Sequence, residues 1–257
     1  MITLLKAEHM KARRRYIGLS ALAITLFGLV FALYGSYEGD AALFFRQNGY
    51  RLYLYQLPIV YSIFLPVMCM VVASRLADLE HKGQEMKMLR CMSRSGAIFD
   101  AKLIYGLAIV SACTILFWAI VPVWAKLFQG VEGPLPWREG LCQLCFVLIC
   151  TAVVYTLQHS ISLLVKNQAV ALGIGSLGCF YGLFALYIQS AALRRILPWG
   201  YYAALAFMGL FGWSKETRYS EAWLENMGYD YLSLVLLLVM GLAIYLLGRS
   251  LFMRREY

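Results

Sequence analysis

Cys142 and Cys145 stand as C-x-x-C, a spacing at which two thiols can share a metal ion or exchange a disulfide. They lie in LCQLCFVLIC, with no second ligand pair nearby. The spacing therefore reads first as small side chains compatible with lipid, and only second as metal or redox chemistry. His159 is the one imidazole inside an apolar run, with Gln158 beside it, Ser160 and Ser162 after it, and Tyr155 one turn back. Three roles are open to this patch: hydrogen bonding between helices, lining of a pathway, and proton relay. No G-x-x-x-x-G-K-[ST] loop, H-E-x-x-H pair or G-x-S-x-G elbow occurs in the chain. Work against a gradient would thus draw its energy from another chain.

The elements that position these residues are membrane helices. More than half of the 257 residues are hydrophobic and only 14% are charged, where soluble domains carry about 25% charged residues. The apolar residues gather in runs of about twenty, the length needed to cross the hydrocarbon layer. Six spans are predicted, at about Tyr16–Gly35, Leu52–Ser74, Leu103–Lys126, Gly140–Val165, Ala169–Gln189 and Tyr231–Leu247. The run after Arg15 is too long for a signal-peptide core, so it reads as a retained span. Ile2–Met10 reads as a short amphipathic helix on the membrane surface, with Leu4, Leu5 and Ala7 down and Lys6 and Lys11 up. Gly178 and Gly182 form a G-x-x-x-G pair that lets helices approach closely, within one bundle or between subunits.

Leu197–Trp213 is apolar but opens on Pro-Trp-Gly-Tyr-Tyr and closes on Gly-Trp. Trp and Tyr favour the headgroup level, so a re-entrant or interfacial element is expected there rather than a seventh span. Residues 190–230 then form an outer element. Trp199, Tyr201, Tyr202 and Trp213 would supply an interfacial belt or contact a substrate.

Charge sets the orientation. The N-terminus, residues 75–102, the 166–168 turn and the C-terminal tail hold 15 Lys and Arg against six acids. Residues 36–51, 126–139 and 190–230 hold eight of each. The formal net charge of +9 therefore falls on one side, which the positive-inside tendency makes cytoplasmic together with both termini. A basic excess of this kind orients the chain and meets anionic lipid; nucleic-acid binding is not indicated. Between the second and third spans runs RLADLEHKGQEMKMLRCMSRSGAIFDAK, Arg75–Lys102. Neighbouring helices need only a few linking residues, and Leu76, Leu79, Met86 and Leu89 recur at helical spacing amid charge. A charged cytoplasmic helix of this kind suits a soluble partner, or rests on lipid without one.

LLKAEHMKARRR leading into the first span, DLEHKGQEMKMLRCMSRSGAIFDAK in the first cytoplasmic loop, and a basic tail together resemble the permease subunits of ABC-2 type ATP-binding-cassette exporters. The branch it is most similar to is the lantibiotic-immunity permeases, the MutG- and MutE-like subunits. The likeness covers essentially the whole chain, 1–257, as one transmembrane domain. It implies an all-α integral membrane protein of the bacterial plasma membrane, with six transmembrane helices, an N-terminal interfacial helix and a cytoplasmic coupling helix. By the resemblance, Glu80, Gly83, Glu85, Met86 and Leu89 fall in the coupling helix, Lys102 opens the third span, and Glu8 and Lys11 belong to the interfacial helix that also meets the ATPase. Many members have a Gly-Thr pair in this loop and a Pro after the leucines. Here Gly83-Gln84 and Ser93-Arg94 stand instead, which leaves the helix register and the assignment of individual contacts open.

The implied partners are two copies of a cytosolic ATPase, a second permease (the same or homologous), membrane lipid and a peptide cargo. ATP and magnesium would be held by the ATPase and no cofactor by this chain, which would not itself be an enzyme. The resemblance implies export of lantibiotic-like peptides, giving immunity to the producing cell. The alternatives are another cargo (a drug, a bacitracin-like antibiotic, a lipid or a polysaccharide), a sensor or assembly protein without transport, and a membrane-embedded enzyme.

Overall fold

A computed structural model describes residues 2–34, 40–82, 95–214 and 219–254. The chain begins with α1, Ile2–Arg14, and α2, Ile17–Leu33. Between them Tyr16 takes a left-handed conformation, φ 53°, uncommon for a residue with a Cβ, and the two helices meet at a 65° bend. The buried positions of α1 include Glu8 and Ala12, with Leu4, Leu5 and Ala7 half-buried. Its inner face thus includes a carboxylate beside the expected leucines.

The central element is α3, Asp40–Lys82, about 65 Å long at 1.5 Å per residue and so longer than the bilayer is thick. The predicted second span is its middle portion. Much of the predicted outer loop 36–51 and of the cytoplasmic loop 75–102 is helix, because Phe44 and Phe45 at one end and Leu76 and Ala77 at the other are buried and extend the apolar face. Helices α4, Ser95–Phe128, α5, Trp137–Leu164, and α6, Gln168–Ala185, follow. The long helix α9, Tyr231–Arg254, is the last. Among the described residues, five helices are long and apolar enough to cross a membrane: α3, α4, α5, α6 and α9. Helix α2 alone spans about 25 Å, short of the roughly 30 Å core, and becomes a sixth candidate only when joined with α1.

Two ends of the bundle are distinguished by their contacts. At one, α1 and the end of α3 meet the start of α4, where a Cβ on Gly106 would lie 3.1 Å from Leu76. The α5–α6 turn, capped by Asn167 accepting from the Ala169 amide at 3.0 Å, and the end of α9 lie there too. At the other end Glu132 donates its amide to the Arg46 carbonyl at 2.8 Å, joining the loop after α4 to the start of α3.

Leu197–Trp213 is not a seventh span. It breaks into a 3-10 turn, Pro198–Gly200, a single helical turn, α8, Tyr201–Ala204, and strand β1, Met208–Phe211. Pro198 lacks an amide donor and starts the turn. Strand β1 pairs antiparallel with β2, Trp223–Asn226, with Leu210 opposite Leu224. Residues 190–230 also hold α7, Ala191–Arg194. Asp230 then begins α9: its carboxylate accepts from the Ser233 amide at 3.0 Å and the Ser233 hydroxyl at 2.6 Å, and from Arg195 Nη2 at 2.5 Å.

Candidate functional site

The prolines of α3 each free a carbonyl four residues earlier, since proline has no amide to donate. For Pro58 that carbonyl is Leu54, and Gln143 of α5 donates its side-chain amide to it at 2.8 Å. For Pro66 it is Ser62, whose oxygen would lie 3.5 Å from a Cβ on Gly182. Lipid offers no hydrogen bonds, so such groups need partners within the protein. Gln143 is buried, and the sequence reading passed over it.

The glycines of α6 form the second contact surface. A Cβ on Gly178 would come within 2.1 Å of the Trp199 indole, and one on Gly182 within 2.9 Å of the Trp199 carbonyl. On Gly175 it would meet Met70 of α3 at 2.9 Å. Within the chain the G-x-x-x-G pair seats an indole rather than another helix. Tyr201 and Tyr202 are buried alongside Trp199, and the Tyr202 hydroxyl is 3.0 Å from that of Thr151 on α5. These three aromatics wedge into the bundle, whereas Trp213 is 50% exposed and remains at the surface.

The charged residues singled out from the sequence converge at the α1 end. Lys102 Nζ lies 2.8 Å from Glu8 Oε2, with the two side chains 0% and 7% exposed. The interfacial helix is thus joined to α4 by a buried ion pair. Neither group is displayed for a soluble partner. Lys11 lies on the same helix, half-buried. Beside the pair, Tyr155 stacks on His159 with ring centroids 5.8 Å apart, and Phe99 meets His159 edge-on at 4.9 Å. Tyr155 reaches α4 at Gly106 and His159 reaches it at Phe99, one turn to either side of Lys102, so the histidine patch and the ion pair form one buried polar cluster. The Tyr155 hydroxyl and His159 Nε2 have no hydrogen-bond partner among the described residues. A Cβ on Gly106 would meet that hydroxyl at 1.7 Å, so α4 must carry glycine there. Gln158 turns instead to α6, donating to the Ala171 carbonyl at 2.7 Å.

A second polar link at this end was not foreseen. Arg249 Nε of α9 lies 3.0 and 3.2 Å from the two oxygens of Asp100, and the Tyr245 hydroxyl donates to Asp100 at 3.0 Å. Helix α4 therefore carries, two residues apart, one charge paired with α1 and another paired with α9. Glu80 falls in the last turn of α3. Gly83, Glu85, Met86 and Leu89 lie outside the described residues. Cys142 is half-buried and Cys145 exposed, and no group of three metal-ligating side chains occurs among the described residues.

A long helix that carries two prolines, close contacts through glycine, and a charged N-terminal helix locked to the third span describe a membrane permease scaffold. The family model described as ABC-2 family transporter protein matches residues 4–184. The chain belongs to the ABC-2 transporter family. This makes it a multi-pass membrane permease, a transport component rather than a catalyst, of a system whose family works with an ATPase. The matched residues run from α1 to the end of α6 and so contain the whole Glu8–Lys102–His159 cluster; they stop before the wedge and α9. No individually curated relative matches the sequence.

Proposed function

We propose that this chain is the permease subunit of an ATP-driven exporter, and that its coupling surface is built from α1 and residues 75–102. The observation that carries this reading is the buried Glu8–Lys102 pair. Displacing a charge from a buried pair is costly, so a push on α1 or on the adjoining segment moves α4 with it rather than sliding past. Arg249–Asp100 extends the same linkage to α9. Two copies of a cytosolic ATPase, holding ATP and magnesium, would dock at this end, beneath this permease and a second one. Closure of the ATPase pair would shift a two-state bundle between inward and outward forms. The six-span topology follows if α1 and α2 act as one bent span or α2 crosses a locally thinned bilayer. The cargo is proposed to be a cationic, amphipathic peptide of the lantibiotic type, taken from the membrane and released outside. Its support is the resemblance in the α1 and 75–102 segments.

The test is purification from native membranes with mass spectrometry of associated chains. A nucleotide-binding subunit should accompany the wild type and be lost when Glu80 and Gly83 are replaced by Lys and Pro. Recovery of this chain alone under mild conditions would refute the coupling surface. For the cargo, deletion should sensitise the host to a lantibiotic and leave bacitracin susceptibility unchanged; the opposite pattern would reassign the substrate while leaving the transporter reading intact.

A further inference from the structure

At the end of the bundle remote from the ion-pair cluster, a cavity of about 340 Å³ opens between the first turns of α3 and the loop after α4. Its walls carry Arg51, Glu132 and Glu139, with Gln47 and Asn48. Two carboxylates face one guanidinium, so the mouth favours a cation. Its volume falls in the range of small-molecule sites, about 300–1,000 Å³. Tyr50, Leu135 and Pro136 are shared with a second, narrower cavity of about 30 Å³, walled by Tyr53, Trp118 and Trp137. That slot reaches Gln143, which also borders an inner cavity against Cys150 and Tyr202.

The composition changes in one direction, from charge at the mouth through aromatic rings to a buried amide. Gln143 donates its nitrogen to Leu54, and its Oε1 is buried with no donor among the described residues. Buried acceptors without partners are rare in native structures. Trp137, 61% exposed, forms the outer wall of this slot.

We infer that this cavity is a binding site for a small organic cation, an ammonium group attached to an aromatic or short apolar group. The ammonium sits between Glu132 and Glu139, and the ring enters over Tyr50 toward Trp118 and Trp137. Aromatic faces favour a nearby cation as well as an apolar ring. The inference does not rest on the transport reading, because binding here needs neither nucleotide nor partner.

The experiment uses the full chain in phosphatidylcholine nanodiscs, with tritiated phenethylamine as the probe and empty discs subtracted. Saturable binding is expected, competed by unlabelled phenethylamine and not by 3-phenylpropionate, which has the same ring and the opposite charge. The E132Q/E139Q variant should weaken binding at least about tenfold, the equivalent of about 1.4 kcal/mol. W137A, at an exposed position, should weaken it also. Gly173→Ala, at a position of α6 with open space around it, should leave the affinity unchanged, and a melting curve confirms that each variant is folded. Non-saturable uptake, equal competition by 3-phenylpropionate, or unchanged affinity in folded E132Q/E139Q would each overturn the assignment. Binding that appears only as partition into discs with or without the protein would assign the probe to lipid and overturn it too.

Discussion

Lys102 shows how a single residue changes meaning once its neighbours are known. In the sequence it is a basic residue at the foot of a span, the kind that usually reaches for headgroups. In the fold it is fully buried and paired with Glu8 across 2.8 Å, because a carboxylate on the inner face of α1 meets it. Removing one member of such a pair leaves the other charge buried, at a cost of about 3–5 kcal/mol. Lys102→Met is therefore expected to lower the melting temperature in detergent markedly. Adding Glu8→Leu should restore most of the loss, whereas any ATPase stimulation should stay low in the double variant, since the two helices are no longer locked. Full recovery of stimulation would show that the pair serves folding alone. Asp230 offers a test by pH at the other end. Partial burial raises its pKa, but the Ser233 hydroxyl and amide and the Arg195 guanidinium outweigh this and hold it below the ordinary carboxylate value. Its contribution is then present above the ordinary carboxylate pKa of about 3.9 and lost as pH falls through its lowered value. The wild type should lose more thermal stability on acidification below pH ~4 than Asp230→Asn does; parallel curves would remove the ion pair from the account. The sequence marked Lys102 and Glu8 by their position. It gave no sign that they meet, because the contact joins residues separated by 94 positions.

At the scale of elements, helix existence was legible and helix length was not. The apolar run Leu52–Ser74 located α3, but its polar flanks concealed the helical extensions to Asp40 and Lys82. Phe44 and Phe45, buried among charged neighbours, were the available signal, read as loop because a loop is expected to be polar. The prolines were visible in the sequence, while the group that compensates Pro58 was not. Gln143 supplies the missing donor for Leu54, so the residues at 58 and 143 are energetically coupled. Gln143→Leu alone should cost about 1–3 kcal/mol by orphaning a buried carbonyl. In the Pro58→Ala background the regained amide satisfies Leu54, and the same substitution should cost much less. A double-mutant cycle by thermal unfolding measures the difference; additive effects would sever the link. The glycines of α6 divide similarly. Gly178→Ala should destabilise by driving a methyl into Trp199, whereas Gly173→Ala, with open space around it, should be neutral or stabilising by up to about 1 kcal/mol from helix propensity. The G-x-x-x-G spacing announced a close contact, yet its occupant came from a segment whose Trp and Tyr suggested the membrane surface. What sent them inward was Pro198 and Gly200, which turn the chain back over α6. A Cβ on Gly200 would strike the Arg194 carbonyl at 2.1 Å, and only glycine permits that turn.

For the whole molecule, the charge asymmetry and the fold point the same way. The N-terminal basic cluster, the end of α3, the start of α4 and the end of α9 share one end, and these segments contain most of the Lys and Arg excess. The positive-inside tendency acts on short segments flanking spans, so this end is proposed to be cytoplasmic, and the cavity with Glu132 and Glu139 to face outward. The proposal is testable with one residue at each end. Arg13 and Arg138 are both exposed, and neither participates in an ion pair described above, so cysteine at either position should be tolerated. A charged, membrane-impermeant maleimide applied to intact cells should label Arg138→Cys and spare Arg13→Cys. After permeabilisation both should react. Native Cys145, exposed on a helix long and apolar enough to cross the membrane, should react little in either state, because a charged reagent does not enter the hydrocarbon layer. The unsubstituted protein supplies the background for subtraction. The reverse pattern would invert the molecule. It would carry the Glu8–Lys102 cluster to the outside, where no ATP is available, and would exclude coupling through α1. Equal labelling of both sites in intact cells would instead mean that the chain inserts both ways round, and that 15 basic residues against eight do not decide its orientation.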